Sequence, residues 1–335
     1  MPDRMRLPVT LLTGFLGSGK TTLLNRWLRQ PEMRDTLVII NEFGEIGLDH
    51  MLVAHQLEHN MVVELSNGCL CCQLRTDLKQ TLKDIHWRFS RNGVRQFRRV
   101  VIEASGMADP APVLHTLMTD AYVAAAYQLD GVVTVVDGIL GSDSLRRYPE
   151  AVKQVQLADI LLISKADIAD QQGLASLLAD LHELNPAARV LQLDQLQSQA
   201  VGAGLLFGLA SSTGFPHWLS ALAAPALHGG EATTLSLELD VPVPRHDFDG
   251  WLEQLRHFTA PGLLRFKGVF HVAGEPSPIA VHRVQHVLHA PEPLVNWPGK
   301  DKRSQLVFIT QSSSEGELRP LLQSLVRFAR NGNRP

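Results

Sequence analysis

Seven short apolar runs punctuate the first two hundred residues: Leu7–Thr13, Thr36–Ile40, 61–65, Arg99–Glu103, 132–137, 159–163 and 189–191. They are continuous rather than alternating, which is the pattern of strands buried on both faces of a parallel sheet. Stretches with leucines at helical spacing separate them, notably 22–29, 73–89 and 171–184,. Strand and helix in alternation predict an α/β domain, a mostly parallel sheet flanked by helices. The pattern changes after a segment rich in Ala, Gly, Ser and Pro between 197 and 230,. Beyond it the order is strand (234–241), helix (248–258), strands (263–272, 278–288, 305–310) and helix (315–328), a smaller α+β domain with one sheet covered by helices. The expected division is residues 1–212, a linker at 213–232, and residues 233–330. The apolar triplet Leu205-Leu206-Phe207 is expected to dock back on the first domain.

A chain of 335 residues with 45% hydrophobic and 19% charged residues has material for two buried cores,. Its net charge of −3 gives no electrostatic argument for nucleic acid or an anionic membrane as partner,. No apolar run reaches membrane-spanning length, and residues 1–6 lack the apolar core of a signal peptide, so a cytoplasmic location is expected,. The three cysteines, Cys69, Cys71 and Cys72, fall within four positions. In a reducing compartment such a cluster reads as metal-binding or redox-active rather than as a disulfide framework.

Candidate chemistry begins at Gly14-Phe15-Leu16-Gly17-Ser18-Gly19-Lys20-Thr21, which fits G-x-x-x-x-G-K-[ST] between a predicted strand and a predicted helix,. Glycines let the backbone wrap a phosphate chain with its N–H groups pointing inward, and the helix N-terminus adds partial positive charge. Lys20 can reach β- and γ-phosphates, the Thr21 hydroxyl can hold Mg²⁺, and Thr22 continues the turn. An acid at the end of a strand helps hold that Mg²⁺, and Glu103 and Asp137 both qualify. Glu103 is preferred, because Gly106 lies three residues on, where its N–H can meet a γ-phosphate; Asp137 is left to cap the following segment. Ser164-Lys165-Ala166-Asp167 is similar to the N-K-x-D guanine motif. There the Asp167 carboxylate accepts two hydrogen bonds that guanine can donate and adenine cannot, and the Lys165 stem lies along the purine. Serine in place of asparagine is expected to weaken a contact to the phosphate loop, not the base readout.

Two further segments carry alternatives. Asn41 to Gly47 holds Glu42 and Glu45, which read either as a solvated loop or as a switch segment meeting a metal. The cluster at Cys69, Cys71 and Cys72 precedes a helix whose N-terminus favours thiolates. Three soft ligands suit Zn²⁺, with a fourth position for a carboxylate, histidine, water or client ligand. Buried small side chains or a Cys69–Cys72 redox pair are the competing readings. His282, His286 and His289 read as solvated or packed histidines rather than as a metal site.

The segments GFLGSGKTTLL, NEFGE, NGCLCC, VVIEASGMADP and SKAD occur in that order. In this combination the chain resembles the CobW family of P-loop GTPases over nearly its whole length. The resemblance implies a P-loop NTPase domain followed by a CobW-type C-terminal domain. It implies a GTP hydrolase, releasing GDP and phosphate, that binds Zn²⁺, or Co²⁺ or Ni²⁺, and delivers it to a client metalloprotein. GTP phosphates would lie on Gly14 and Gly17 to Thr22, Mg²⁺ on Thr21 near Glu103, and guanine on Lys165 and Asp167. The transition metal would sit on Cys69, Cys71 and Cys72, with Glu42 or Glu45 as neighbours. A monomer or weak homodimer is expected. The chain departs from the family in Ser164 and in lacking a His-rich insertion, and no arginine finger or water-positioning Gln is evident, so turnover is expected to be slow. The cysteine loop and the γ-phosphate contacts are expected on adjacent strand ends, so that nucleotide state gates the metal. The alternative is a GTP-dependent switch whose metal is purely structural.

Overall fold

The computed structural model describes residues 6–40, 61–64, 71–92, 94–193, 203–209, 232–258, 262–284, 287–288, 291–294, 297, 302–311 and 315–331. The chain divides into two compact units, Met1–Leu178 with Arg189–Ala210, and Ala179–Ala188 with Ser211–Pro335.

The first unit is built on seven parallel strands: β1 (Leu7–Thr13), β2 (Thr36–Ile40), β3 (Met61–Glu64), β6 (Arg99–Glu103), β7 (Tyr127–Asp137), β8 (Ile160–Ser164) and β9 (Arg189–Gln192), in the spatial order β3-β2-β6-β1-β7-β8-β9. The intervening numbers belong to a two-residue hairpin, β4 (Ser90–Arg91) with β5 (Val94–Arg95). The central apolar runs are inside on both faces, as Val100, Val101 and Ile102 in β6 illustrate, whereas the edge strand β9 is only half-buried. Helices α1 (Lys20–Trp27), α2 (Cys71–Arg88), α3 (Ala111–Thr119), α4 (Ala121–Ala126), α5 (Gly141–Arg147), α6 (Pro149–Gln156) and α7 (Gln171–Leu184) connect the strands, the residues of α7 from Ala179 onward being counted with the second unit. The 203–209 segment docks on this sheet: Leu206 is buried, its carbonyl accepts from Thr10 Oγ1, and the Arg99 guanidinium lies 3.9 Å from the Phe207 ring centroid.

Strand order fixes what shares the carboxyl rim, where open parallel sheets bind ligands. The phosphate-loop strand β1 lies between β6 and β7, so the chain reverses its winding there. Beyond β6 comes β2, and β3 forms the edge. This corrects one expectation. The strand leading into the cysteine segment is not next to β6, because β2, which leads into the Glu42–Glu45 segment, is inserted between them.

The second unit carries an antiparallel sheet in the order β10-β15-β11-β12-β13, formed by β10 (Ala232–Leu239), β15 (Ser304–Gln311), β11 (Leu263–Phe270), β12 (Ile279–Val284) and β13 (Val287–Leu288); β14 (Glu292–Pro293) also pairs with β12. The single strand expected over 278–288 is a hairpin: Val284 pairs antiparallel with Val287, so the chain turns between them. Helices α8 (Arg245–His257) and α9 (Glu315–Asn331) cover the sheet. Phe248, Trp251, Leu252 and Leu255 recur at i, i+3, i+4 and i+7, which puts all four on one buried stripe of α8,. They meet Phe266, Phe270 and Phe308 from the sheet and Leu318, Leu321 and Leu325 from α9. Arg283, fully buried in β12, donates to the carbonyls of Leu255 and Phe258 where α8 ends; burial pushes its pKa down to about 10. Among the described residues no helix is long and apolar enough to cross a membrane.

Among the described residues Trp251 is the largest fully buried side chain, and it donates its indole N–H to the Leu321 carbonyl at 3.2 Å. Trp251→Ala should therefore destabilise the second unit by about 3–5 kcal/mol, read as a lowered urea midpoint.

Candidate functional site

The loop from Gly14 to Gly19 turns tightly enough that Ser18 N–H reaches the Phe15 carbonyl at 3.2 Å. Gly14 allows this: a Cβ there would stand 2.2 Å from the Val135 carbonyl oxygen of β7. Gly19, with φ 89°, hands the chain to α1, whose first residue is Lys20. Lys20 is 5% exposed and its Nζ lies 3.3 Å from the Phe15 carbonyl, so the ammonium sits inside the loop's curve. Thr22, one residue beyond Thr21, is exposed. Thr21 Oγ1 donates to Glu103 Oε1 at 2.6 Å across 82 residues of sequence. Hydroxyl and carboxylate are hard oxygen donors, side by side at the edge of a phosphate loop, which is the donor set Mg²⁺ takes with a nucleotide.

Gly106 stands against this loop. A Cβ on it would lie 2.6 to 2.9 Å from Leu16, including its backbone N and Cα, so only glycine permits the approach. The segment beyond Gly106 is fastened to α6. Gln154 Nε2 donates to the carbonyls of Gly106 (3.1 Å) and Ala108 (3.0 Å), and Lys153 Nζ pairs with Asp109 Oδ2 at 2.9 Å. At the start of α6, Tyr148 stacks on Phe15 with ring centroids 4.5 Å apart.

On the other side of β1, Ser164 Oγ donates to the Ser18 carbonyl at 2.7 Å. Serine thus keeps a contact to the loop at this position, because β8 ends close enough for a hydroxyl to reach it. Lys165 has φ 56°, a left-handed conformation that a side chain with Cβ rarely adopts,. Its Nζ donates to the Gly17 carbonyl (3.0 Å) and to Asp137 Oδ2 (2.5 Å). Asp137 Oδ1 accepts the N–H groups of Ile139 (2.8 Å) and Leu140 (3.0 Å), so Asp137 caps the segment after β7 and also holds Lys165. Burial pushes the Asp137 carboxyl up, but the hydrogen bonds from Lys165 and from these two N–H groups outweigh it, and the net shift is downward. Asp167 is exposed on the same rim.

Of the sequence-predicted residues, the structure brings together Gly14 through Thr21, Glu103, Gly106 and Lys165. Cys71 and Cys72 open α2, two residues before the expected helix start, with only their backbone described. Cys69, Glu42, Glu45, His286 and His289 lie outside the described residues. Among the described residues no group of three or more His, Cys, Asp or Glu side chains is placed to hold a metal. Gln154, Lys153 and Tyr148 belong to no sequence motif, and only the crossover of α6 above the sheet brings them to the site.

The nucleotide-binding-domain model of the CobW/HypB/UreG family matches residues 8–192, and that of the cobalamin synthesis protein CobW C-terminal domain matches residues 232–326. The zinc chaperone YjiA of Escherichia coli is 32% identical over 95% of this chain and 98% of its own length. The zinc-regulated GTPase metalloprotein activator 1 of Dictyostelium discoideum is 26% identical over 93% and 79%. A Zn(II)-bound crystal structure of YjiA GTPase from E. coli superposes with a TM-score of 0.68 at 28% identity, covering 96% of this chain and 99% of that one.

The lowered Asp137 pKa carries a stability signature. A depressed carboxyl stabilises the fold above its unfolded pKa, about 3.9, and loses that contribution as pH falls through the folded value below it. Asp137→Asn should cost about 1 kcal/mol at pH 7. Against wild type in thermal melts, the difference should shrink steadily as pH is lowered below about 3.9.

Proposed function

The chain belongs to the CobW/HypB/UreG family, and on that premise we propose that it hydrolyses GTP to GDP and phosphate and uses the nucleotide state to gate a zinc site, passing the metal to a client metalloprotein. The observation that carries the proposal is the order of strands. The strand ends leading to the cysteine segment, to Glu42 and Glu45, to Glu103 and Gly106, and to the phosphate loop follow one another along one rim.

In this reading the backbone N–H groups from Gly17 to Thr22, the start of α1 and Lys20 bind the phosphates. Thr21, with Glu103 beside it, would hold Mg²⁺, whose positive charge would offset that of the terminal phosphates,. Gly106 offers its N–H to the γ-phosphate. Asp167 reads guanine, while Lys165 ties the guanine side of the rim to the phosphate loop through Gly17. No arginine or glutamine is assigned to position the attacking water, so intrinsic turnover is slow. Cys69, Cys71 and Cys72 supply thiolates to Zn²⁺, Co²⁺ or Ni²⁺ being lesser alternatives, and Glu42 or Glu45 supplies a carboxylate whose position follows the nucleotide. Hydrolysis removes the γ-phosphate contact, the Glu42–Glu45 segment relaxes, and the metal is released.

Coupling of this kind is reciprocal. Zn²⁺ affinity, titrated against a fluorescent chelator, should differ at least tenfold between the GDP state and a non-hydrolysable GTP analogue, and equal affinities would remove the gating. Cys71→Ser should lower Zn²⁺ affinity and abolish metal-dependent turnover while leaving the melting temperature near wild type. Unfolding in every nucleotide state would instead make the metal structural. Base recognition has its own test. Asp167→Asn exchanges one acceptor for a donor, so GTP affinity should drop at least tenfold while XTP, with a carbonyl at C2, gains.

A further inference from the structure

We propose that Gln154 is a positioning residue for GTP hydrolysis: it holds the Gly106–Ala108 segment at the height where the Gly106 N–H addresses a γ-phosphate, and so sets the discrimination between GTP and GDP. The inference rests on the reading above that Gly106 faces the γ-phosphate.

Gln154 sits in the last turn of α6 with its side chain 1% exposed. A buried primary amide is unfavourable unless its hydrogen-bonding capacity is used. Here the side-chain nitrogen serves two carbonyls, those of Gly106 at 3.1 Å and Ala108 at 3.0 Å, while the buried Oε1 has no partner among the described residues, so the donor half of the amide alone carries the hold. The helix that carries it is itself moored. The Gln154 main-chain carbonyl accepts from Thr134 Oγ1 of β7 at 2.8 Å, and at the other end of the helix Tyr148 stacks on Phe15 of the phosphate loop. Lys153 adds a tie to Asp109 at 2.9 Å, and the other oxygen of Asp109 accepts the Ala111 N–H at 2.9 Å, opening α3. Helix α6 is therefore a splint between the loop that binds phosphates and the segment that would register the terminal one.

Two consequences follow. With the carbonyls on either side of Met107 fixed, and with Leu16 closing the space on the other side of Gly106, the Gly106 N–H has little freedom to swing. A nucleotide-dependent displacement of this segment relative to α6 breaks both hydrogen bonds from the Gln154 amide in a site that excludes water, where donors and acceptors left without partners are costly,. The Lys153–Asp109 pair is half-exposed and contributes less to the hold,.

The test uses the full-length protein and three variants. Gln154→Met keeps length and volume without a donor; Gln154→Glu keeps the shape but turns an acceptor toward two carbonyls; Lys153→Ala removes only the surface tie. The readouts are kcat and KM for GTP, Kd for GDP and for a non-hydrolysable GTP analogue, and the melting temperature. For both Gln154 variants kcat should fall at least tenfold, the ratio of analogue to GDP affinity should change at least fivefold, and GDP Kd should stay within twofold. Lys153→Ala should stay within about threefold of wild type throughout. The proposal is overturned if both Gln154 variants keep wild-type kcat and affinity ratio, if they lose GDP and the analogue equally, or if both unfold, since the role is then support of the fold. Failure of the underlying reading looks different: wild-type protein would itself neither hydrolyse GTP nor distinguish the analogue from GDP.

Discussion

A phosphate loop works only if its backbone N–H groups are held pointing inward before any ligand arrives, and the first unit is arranged to impose that constraint. The loop is gripped from the β7–β8 side in three places. Gly14 is pressed against Val135 too closely for a side chain, Ser164 bonds the Ser18 carbonyl, and Lys165 bonds the Gly17 carbonyl. The last two matter because they occupy the Gly17 and Ser18 carbonyls with side-chain donors, although the Ser18 N–H itself turns to the Phe15 carbonyl,. Lys165 adopts a left-handed backbone to do this, and Asp137 balances its charge. Strain and a partly buried ion pair are thus concentrated at the nucleotide rim, where positional accuracy has functional value.

From the β6 side the loop is bounded rather than gripped. Thr21 meets Glu103 and Leu16 meets Gly106, and the segment after Gly106 is held from behind by α6. This asymmetry suits a nucleotide switch. In the proposed function the base-reading side is tied directly to the phosphate loop, while the side that would read the terminal phosphate is tied through Gln154 and α6, whose contacts a ligand must break to move it,.

The order β3-β2-β6-β1 shapes how metal and nucleotide can influence one another. Strand spacing of about 4.8 Å puts β3, the strand that leads into the cysteine segment, roughly 14 Å from the phosphate loop's strand β1, with β2 and β6 between them,. Coupling in the proposed function therefore runs through the segment that follows β2. Glu42 and Glu45 become its natural carriers, because that segment begins between the two sites. Direct adjacency of thiolates and γ-phosphate contacts is a poorer description than a relay with one intermediate.

Much of this protein was legible in its residues. Continuous apolar runs with intervening helical periodicity specify buried parallel strands, because no other common element hides both faces. The glycine loop, Glu103 with Gly106, and Lys165 declared themselves because their chemistry needs fixed local spacing. The antiparallel pairing of Val284 with Val287 was not legible, since two short apolar strands so close in sequence read as one longer strand. Nor did local sequence disclose Gln154, the double role of Asp137, or the insertion of β2 between β3 and β6. Those depend on which strands become neighbours and which helix crosses which strand end, and that is set by long-range pairing and packing over the whole sheet. Sequence by itself determined the chemical groups and the elements that bear them; tertiary structure decided which groups meet, because residues as distant as Thr21 and Glu103 acquire a common geometry only when their strands pack side by side.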